Sequence, residues 1–217
     1  VRNVNQFRGL LSVSGGLKPR FILEHGSSKL VPRPVLSADE IAAMTRDPGS
    51  VLDHECLLPG GPSGKTRTGF PFTISLLETL ANFRIRAVLS GEPYWAPFYR
   101  KGHPCQALEV TRSILQSFDR DARLAGRKPV IIFFPYLLDL RKFLEDGTWV
   151  YQPLLDELEI PGIDALNLGE GLAEYLGERD PCSLYTGCDR GHFNPEASVV
   201  VANLIARYLT SAHLLTN

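Results

Sequence analysis

The chain has 217 residues, of which 44% are hydrophobic, so it can bury a sizeable core as one domain or as one domain with an appendage. Its 23 basic and 24 acidic residues nearly cancel, and no Lys/Arg cluster gives the electrostatic footprint of a nucleic-acid-binding protein. No apolar run reaches the roughly 18 to 20 residues that span a bilayer. The composition therefore favours a globular protein and argues against nucleic acid as a partner and against a membrane segment in these residues.

The first third of the chain predicts a small β-hairpin followed mostly by loop. Arg20–Leu23 and Lys29–Val31 are short apolar pieces separated by a Gly26-Ser27-Ser28 turn, a pattern typical of a hairpin. Ser37, followed three residues later by Glu40, is a helix-start pattern. Little other periodicity is present before residue 70, so most of this segment is predicted to be loop.

Two helices are predicted before the first buried strand. The stronger pattern runs from about Gln106 to Ala125, where apolar residues recur every three or four positions until Gly126 ends it. A weaker pattern of the same kind covers Pro71 to Phe83.

The second half of the chain alternates strand and helix patterns. Val130–Phe134 is a continuous apolar run ended by Pro135, as expected for a parallel strand covered by helices on both faces. A second short strand is predicted at Ile163–Leu168, between helices near Pro153–Leu158 and Glu170–Leu176. The last helix is predicted from an apolar stripe: Val201, Leu204, Ile205 and Tyr208. This alternation is typical of a layered α/β fold.

The motif that says most about chemistry is the segment from Asp189 to Pro195, directly before the last helix. An imidazole accepts a proton from a hydroxyl nucleophile when a second group holds its orientation, and Asp189 stands three residues before His192. His192 is therefore a candidate general base and Asp189 its candidate orienting acid, on a loop that can reach the carboxyl edge of the sheet. The alternative is structural: Asp189 caps a turn, and Asn194-Pro195-Glu196 starts the helix.

The cysteines leave two interpretations open. The chain has four, which are too few for a disulfide-built scaffold and do not fix the compartment: Cys56, Cys105, Cys182 and Cys188. The last two bracket a short loop before Asp189, so they form either a local disulfide or two partly buried free thiols. Their combination with Asp189 and His192 matches no closed zinc site, so no metal is expected.

Two further segments have both a functional and a structural interpretation. Tyr94 and Trp95 belong to an aromatic stretch at 93–99 that suits a sugar or acyl surface, although packing beneath a long loop is favoured. The segment 59–66 imitates a phosphate-binding loop, but Pro59 stands where glycine is needed and no helix follows directly. A flexible surface loop is therefore predicted there, and no nucleotide or other organic cofactor is expected.

The block from Asp189 to Pro195, with the helix after it, resembles the final Asp-x-x-His block of the SGNH (GDSL-type) hydrolase superfamily. Upstream, the penultimate helix and strand of bacterial members are similar to His103-Pro104, the helix that begins near Ala107, and Pro129–Pro135 with Leu138-Asp139-Leu140. Residues 18–34 look like an insertion that some members carry after their third strand. The resemblance covers most of the chain, and its chemically specific part is the final block.

The resemblance implies a flavodoxin-like, three-layer α/β/α sheet and a Ser-His-Asp triad in which Asp189 orients His192. Residues 1–70 would be a hairpin and loop-rich insertion, and 71–217 the C-terminal α/β part of the same domain. The family's Gly-Asp-Ser block is absent from these residues, and Ser12, Ser14, Ser27, Ser63 and Ser90 stand in unsuitable contexts. The expectation is therefore a chain truncated at its N-terminus, with the serine and oxyanion hole upstream and no activity alone.

The sequence thus predicts an ester hydrolase that cleaves acyl or O-acetyl esters of a small molecule or glycan, without metal or organic cofactor. Tyr94, Trp95 and Asn194 are its candidate substrate contacts. Two alternatives stay open: an O-acyltransferase that hands the acyl group to a glycan, and a non-catalytic carbohydrate-binding protein with an SGNH-like fold. The compartment and the oligomeric state are not predicted.

Overall fold

The chain folds into two compact units of mixed α/β structure, Val1–Ile114 and Leu115–Asn217. The structure is a computed structural model that describes residues 4–7, 16–61, 63–159, 162–188 and 191–212. The boundary between the units falls inside the helix Ala107–Leu124. The division at residue 70, which followed from the family resemblance, stays a prediction.

In its described residues, the first unit contains a hairpin, three short helices and the first part of a long helix. Its elements are β1 (Arg20–Glu24), β2 (Ser27–Val31), α1 (Ala38–Arg46), α2 (Phe72–Ala81), α3 (Phe83–Leu89) and the beginning of α4 (Ala107–Leu124), with 3₁₀ turns at Pro48–Ser50 and Ala96–Tyr99. The predicted helices at 71–83 and 106–125 correspond to α2 and α4 and are confirmed. The α3 helix and both 3₁₀ turns are not predicted from the sequence.

The predicted hairpin is confirmed, with its turn one residue earlier than expected. β1 and β2 are antiparallel, and Arg20 pairs with Val31 at one end of the register. The two turn residues, His25 and Gly26, have φ angles of 52° and 79°. Positive φ at both positions is what a tight turn needs to match the right-handed twist of the flanking strands.

Local capping accounts for the bounds of two helices. Ser37 Oγ accepts a hydrogen bond from the Glu40 amide at 3.3 Å, and the Glu40 carboxylate accepts one from the Ser37 amide at 2.7 Å, so α1 begins in the predicted capping box. Gly126, with a φ of 69°, follows the end of α4 in the left-handed conformation that only glycine adopts at little cost.

The first unit is held together by an apolar cluster and a disulfide. The buried members of the cluster are Val4, Leu57, Phe98, Cys105, Ala107 and Val110. Cys105, just before α4, is bonded to Cys56, which lies in the loop between the first 3₁₀ turn and α2. The two cysteines are 49 positions apart in the sequence. This pairing is not predicted from the sequence, because it joins two segments that no local pattern relates.

The second unit contains two short strands and five complete or partial helices in its described residues. Its elements after α4 are β3 (Ile131–Phe133), α5 (Leu137–Asp146), α6 (Gln152–Glu159), β4 (Ala165–Asn167), α7 (Leu168–Leu176) and α8 (Pro195–Ser211), with a 3₁₀ turn at Pro181–Leu184. The predicted strand and helix order is confirmed, with α5 as an addition.

The two strands of the second unit are parallel, as predicted, and Ile131 pairs with Ala165. The prediction that both faces of the 130–134 strand are covered is wrong for part of this segment. Ile131 is buried, whereas Phe134 is 52% exposed. Burial is lower than predicted because, among the described residues, this sheet stops at two strands and so offers little area for helices to cover.

An aromatic stack and the inner face of α7 form the core of the second unit. The Trp149 ring lies 3.9 Å from that of Phe143 and 5.5 Å from that of Tyr151. Gly169 packs so closely beneath Trp149 that a Cβ at this position would overlap the indole. α7 packs against α8, α5 and β3, which fixes the start of α8 relative to the parallel strands.

Candidate active site

The loop before α8 lies beside the carboxyl end of β3. The Tyr185 hydroxyl donates a hydrogen bond to the carbonyl of Pro135, two residues beyond β3, at 3.0 Å. The Phe193 ring lies 5.1 Å from that of Tyr185 and 6.5 Å from that of Phe134. The loop is therefore at the edge of the sheet where functional groups of α/β proteins collect.

The main chain of this loop is fixed by hydrogen bonds on both sides of His192. The Thr186 amide donates to the His192 carbonyl at 2.9 Å, and the Asn194 amide donates to the Leu184 carbonyl at 3.0 Å. These two bonds flank an antiparallel bridge between Tyr185 and Phe193. The loop thus runs as a short hairpin that ends where α8 begins.

A disulfide closes the same loop. Cys182 and Cys188 are bonded to each other, so of the two interpretations that the sequence left open, the local disulfide is the one observed. With both sulfur atoms in this bond, neither is a thiolate that could bind zinc. Among the described residues, no group of three or more His, Cys, Asp or Glu side chains could hold a metal ion.

Asn194 is the N-cap of α8. Its Oδ1 accepts a hydrogen bond from the Ala197 amide at 2.9 Å, and its Nδ2 donates to the Ser183 carbonyl at 2.6 Å. Pro195 follows at the first helical position, where its missing N–H costs nothing. Both polar ends of the Asn194 amide are therefore bonded within the protein, and its predicted contact with substrate stays a prediction.

The side chain of His192 is exposed, in contrast to its anchored main chain. Within the described part of the chain, the structure gives its imidazole no hydrogen-bond partner. Asp189, its predicted orienting acid, lies outside the described residues together with Arg190. The structure therefore shows an accessible imidazole on a fixed loop, and the role of Asp189 stays a prediction.

Gly191 sets how closely the loop approaches the segment after β3. A Cβ at this position would overlap the Tyr136 ring, so only glycine fits without displacement of that ring. The Tyr136 amide in turn donates to Oδ2 of the buried Asp139 at 2.9 Å, which fixes the entry into α5. The residue before His192 is thus held against a well-ordered turn.

Tyr185 acts as a structural donor rather than an acid. Burial raises the pKa of its phenol far above the ordinary value, and the negative charge of Asp139 raises it further. The phenol is therefore neutral at any physiological pH and keeps its hydrogen bond to Pro135. Sequence analysis does not identify Tyr185, because an aromatic residue between two cysteines has no chemical pattern of its own.

Tyr94 and Trp95 lie in the first unit, in edge-to-face contact with ring centroids 5.1 Å apart. The 3₁₀ turn that follows them is buried from Ala96 to Phe98. Tyr94 itself is 42% exposed. The centre of the aromatic stretch is therefore packing, as favoured from the sequence, and the substrate contacts predicted for Tyr94 and Trp95 stay predictions.

The three glycine amides of the segment 59–66 are not available to a phosphate. The amides of Gly60, Gly61 and Gly64 donate to carbonyls of the same loop, those of Lys65, Leu58 and Gly61. The next helix, α2, begins only at Phe72. The prediction of a surface loop is wrong at Ser63 and Gly64, which are buried because this turn packs onto its own main chain.

A serine and a histidine are in contact in the first unit, where Ser63 Oγ lies 3.3 Å from His103 Nε2. The Cys105 amide donates to His103 Nδ1 at 3.2 Å, so Nδ1 is unprotonated and Nε2 carries the proton. His103 therefore donates to Ser63, which is the reverse of the arrangement that a general base needs.

Burial of this pair also excludes it as a catalytic site. Ser63 is 0% and His103 3% exposed, so an ester substrate cannot reach the hydroxyl. Burial lowers the pKa of His103 to about 4, which keeps the imidazole neutral. The pair ties the 59–66 turn to the residues before α4, next to the Cys56–Cys105 disulfide.

No helix in the described residues is both long enough and apolar enough to cross a membrane. Comparison of the chain with protein-family models, with curated proteins and with solved structures finds no match.

Proposed function

We propose that this chain carries the general base of an ester hydrolase that cleaves acyl or O-acetyl esters by a Ser-His-Asp mechanism. The observation that supports it is the state of His192: an exposed imidazole on a main chain held by hydrogen bonds, a disulfide and a helix cap. Catalytic groups need this combination, because a base must reach the substrate and yet keep its position.

In the proposed reaction, the serine oxygen forms a bond to the ester carbonyl carbon while its proton passes to His192. The bond to the alcohol breaks, and His192 returns the proton to the departing alkoxide. Water then attacks the acyl-enzyme by the same route and releases the acid. Asp189 holds the imidazole in the tautomer that accepts the serine proton.

The proposal places the serine of this mechanism outside the 217 residues, because they contain no Gly-Asp-Ser block. Ser63 is excluded by its burial and by the proton that His103 donates to it. Ser90 directly follows α3, and its hydroxyl donates a hydrogen bond to the Arg86 carbonyl. The residues before Ser90 are Val88 and Leu89, not Gly and Asp. The proposal includes a flavodoxin-like arrangement of the complete sheet, for which the parallel pairing of β3 with β4 is the support.

The test compares two histidine variants in a protein made from the full coding sequence. His192→Ala should lower kcat/KM for a p-nitrophenyl acyl ester by about 10³-fold or more, because triad members act as a unit. The matched control is His25→Asn, since His25 is an exposed histidine with a φ of 52° that asparagine tolerates. This control should change kcat/KM less than about twofold.

Three results would contradict the proposal. The first is near-normal ester turnover by His192→Ala, and the second is a full coding sequence without a Gly-Asp-Ser block. The third is ester hydrolysis that co-purifies with the 217-residue chain alone, since that would place the nucleophile within it. A product assay with a glycan acceptor separates hydrolysis from acyl transfer, because only transfer yields the acylated glycan.

A further inference from the structure

The first unit contains a cleft of about 310 Å³ that the proposed mechanism does not use. One side is formed by β1, a second by the loop at 54–61, and a third by residues 104–110 at the start of α4. Its volume is at the lower end of the range for small-molecule sites in proteins. The cleft is therefore large enough for a small organic ligand.

Arg20 is the most unusual residue of this cleft. It lines the cleft, yet it is only 6% exposed, and its Nη1 has no hydrogen-bond partner among the described residues. The hydrogen bond from its Nε to the Phe21 carbonyl is long, at 3.4 Å. A buried guanidinium nitrogen without an acceptor is costly, so an anionic ligand in the cleft would be stabilised by supplying one.

Glu55 does not provide that acceptor, although its negative charge offsets part of the lowering of the Arg20 pKa that burial causes. Its Oε2 accepts hydrogen bonds from the amides of Gln6 and Phe7 at 2.7 and 2.8 Å, and its Oε1 accepts one from the Leu57 amide at 3.0 Å. With further hydrogen bonds from Asn5 Nδ2, both oxygens of this carboxylate are occupied, and it forms no ion pair with Arg20.

The walls of the cleft define the rest of the ligand. Apart from Arg20, they are largely aliphatic, with Ile22, Leu23, Leu58 and Val110 beside the Cys56–Cys105 disulfide. The remaining polar side chains are those of Glu55, whose carboxylate is bonded to main-chain amides, and of His54 and Gln106, which are both exposed. A buried cation next to aliphatic walls suits a molecule with one anionic end and a short hydrocarbon part.

We propose that this cleft binds a short aliphatic carboxylate, with the carboxylate on the Arg20 guanidinium and the alkyl chain against Ile22, Leu58 and Val110. A planar carboxylate matches the geometry of a guanidinium, because two parallel N–H···O bonds can form, and a single-charged head group leaves the alkyl chain to contact the aliphatic walls. This binding site lies in the first unit and does not depend on the ester hydrolase proposed above.

The experiment measures binding of hexanoate to the 217-residue chain by isothermal titration and by ligand-observed NMR. Hexan-1-ol and hexylammonium are the matched probes, since they have the same alkyl chain without the negative charge. Hexanoate should bind saturably with a single site, and both matched probes should bind at least tenfold more weakly. Absence of saturable hexanoate binding, or equal binding of hexan-1-ol, would overturn the proposal.

Variants locate the site. Arg20→Gln should weaken hexanoate binding at least tenfold, whereas Arg46→Gln, a control at an exposed arginine of α1, should leave it unchanged. Circular dichroism checks that Arg20→Gln is folded. If it is not, Ile22→Phe serves instead, because it fills the cleft and keeps the charge, and it should also weaken binding at least tenfold. Unchanged binding in the folded variant would refute the site, and equally tight binding of inorganic phosphate would refute the ligand class.

Discussion

His192 and His103 show how their surroundings give two histidines opposite roles. His103 is buried, accepts a hydrogen bond from a main-chain amide and donates to Ser63. His192 is exposed, and only its main chain is bonded to described residues. A molecule in solution can therefore reach the imidazole of His192 but not that of His103.

The buried state of His103 makes stability depend on pH. Its pKa in the folded protein is about 4, below the ordinary 6.5 that applies to the unfolded chain, and burial is the main cause. Between these values the unfolded chain binds a proton that the folded protein does not. The free energy of unfolding should therefore fall as the pH drops from 6.5 to 4, by up to about 1.4 kcal/mol per pH unit.

Urea unfolding at pH 7.5, 6.5, 5.5 and 4.5 checks this prediction against His103→Gln, which has no titrating group at this position. The variant should lose less stability than the wild type over the acid range, whatever its stability at pH 7.5. Parallel pH profiles for the two proteins would contradict the prediction, because they would show that the pKa of His103 is the same in the folded and unfolded states.

At the scale of elements, the sequence predicted those whose pattern is local. The β1–β2 hairpin, α4 and the parallel strands each have a clear period and a terminating Gly or Pro. The sequence does not predict α5. Leu137 and Leu138 are adjacent rather than three or four positions apart, and they come soon after the apolar run that Pro135 ends. The structure buries Leu137 and Leu140 and leaves Leu138 41% exposed, a helical pattern that is visible only with the packing known.

The helices differ in how much of their apolar surface is buried. α2 has no buried residue, and Leu77 in its middle is 66% exposed, whereas Leu172 of α7 is 0% exposed. Leu172→Ala should therefore cost about 2 to 5 kcal/mol of unfolding free energy, since it leaves a cavity. Leu77→Gln should change it by less than about 0.5 kcal/mol.

Chemical denaturation of these two variants measures the difference. Because the chain has two units, unfolding should be followed by two probes, such as far-UV circular dichroism and tryptophan fluorescence. A large loss of stability in Leu77→Gln would mean that α2 is covered in solution.

The two disulfides should contribute unequally to stability. Their sequence separations are 49 for Cys56–Cys105 and 6 for Cys182–Cys188. A longer closed loop restricts the unfolded chain more, so loss of the first should cost about 4 kcal/mol and loss of the second about 2 kcal/mol. Paired Cys→Ser variants, compared by urea unfolding, give the order; a larger loss for Cys182/Cys188 would contradict it.

At the scale of the whole molecule, sequence reasoning reached the local motif but not the long-range contacts. His192 was identified because the residues around it are contiguous. Arg20 was not, because its cleft needs the hairpin, the 54–61 loop and α4 together. The Cys56–Cys105 pair was missed for the same reason.

We expect the chain to self-associate through its exposed apolar residues. Apolar residues of α2 are widely exposed, with Phe72 at 65% and Leu76 at 58%, and the sequence pI is about 6.6. Low net charge removes the repulsion that would keep such surfaces apart. Sedimentation velocity should show more association at pH 6.6 than at pH 8.5, and Leu76→Lys with Leu77→Lys should reduce it; a monomer at both pH values would contradict this.

The most direct test of the central claim, that His192 is the base of a serine hydrolase, is labelling of the full-length protein by a fluorophosphonate. This reagent reacts with a serine only when a base activates the hydroxyl. We predict stoichiometric labelling of one serine in the wild type and in His25→Asn, and labelling at least about 100-fold slower in His192→Ala. Equal labelling rates in wild type and His192→Ala, with both proteins folded, would contradict the account.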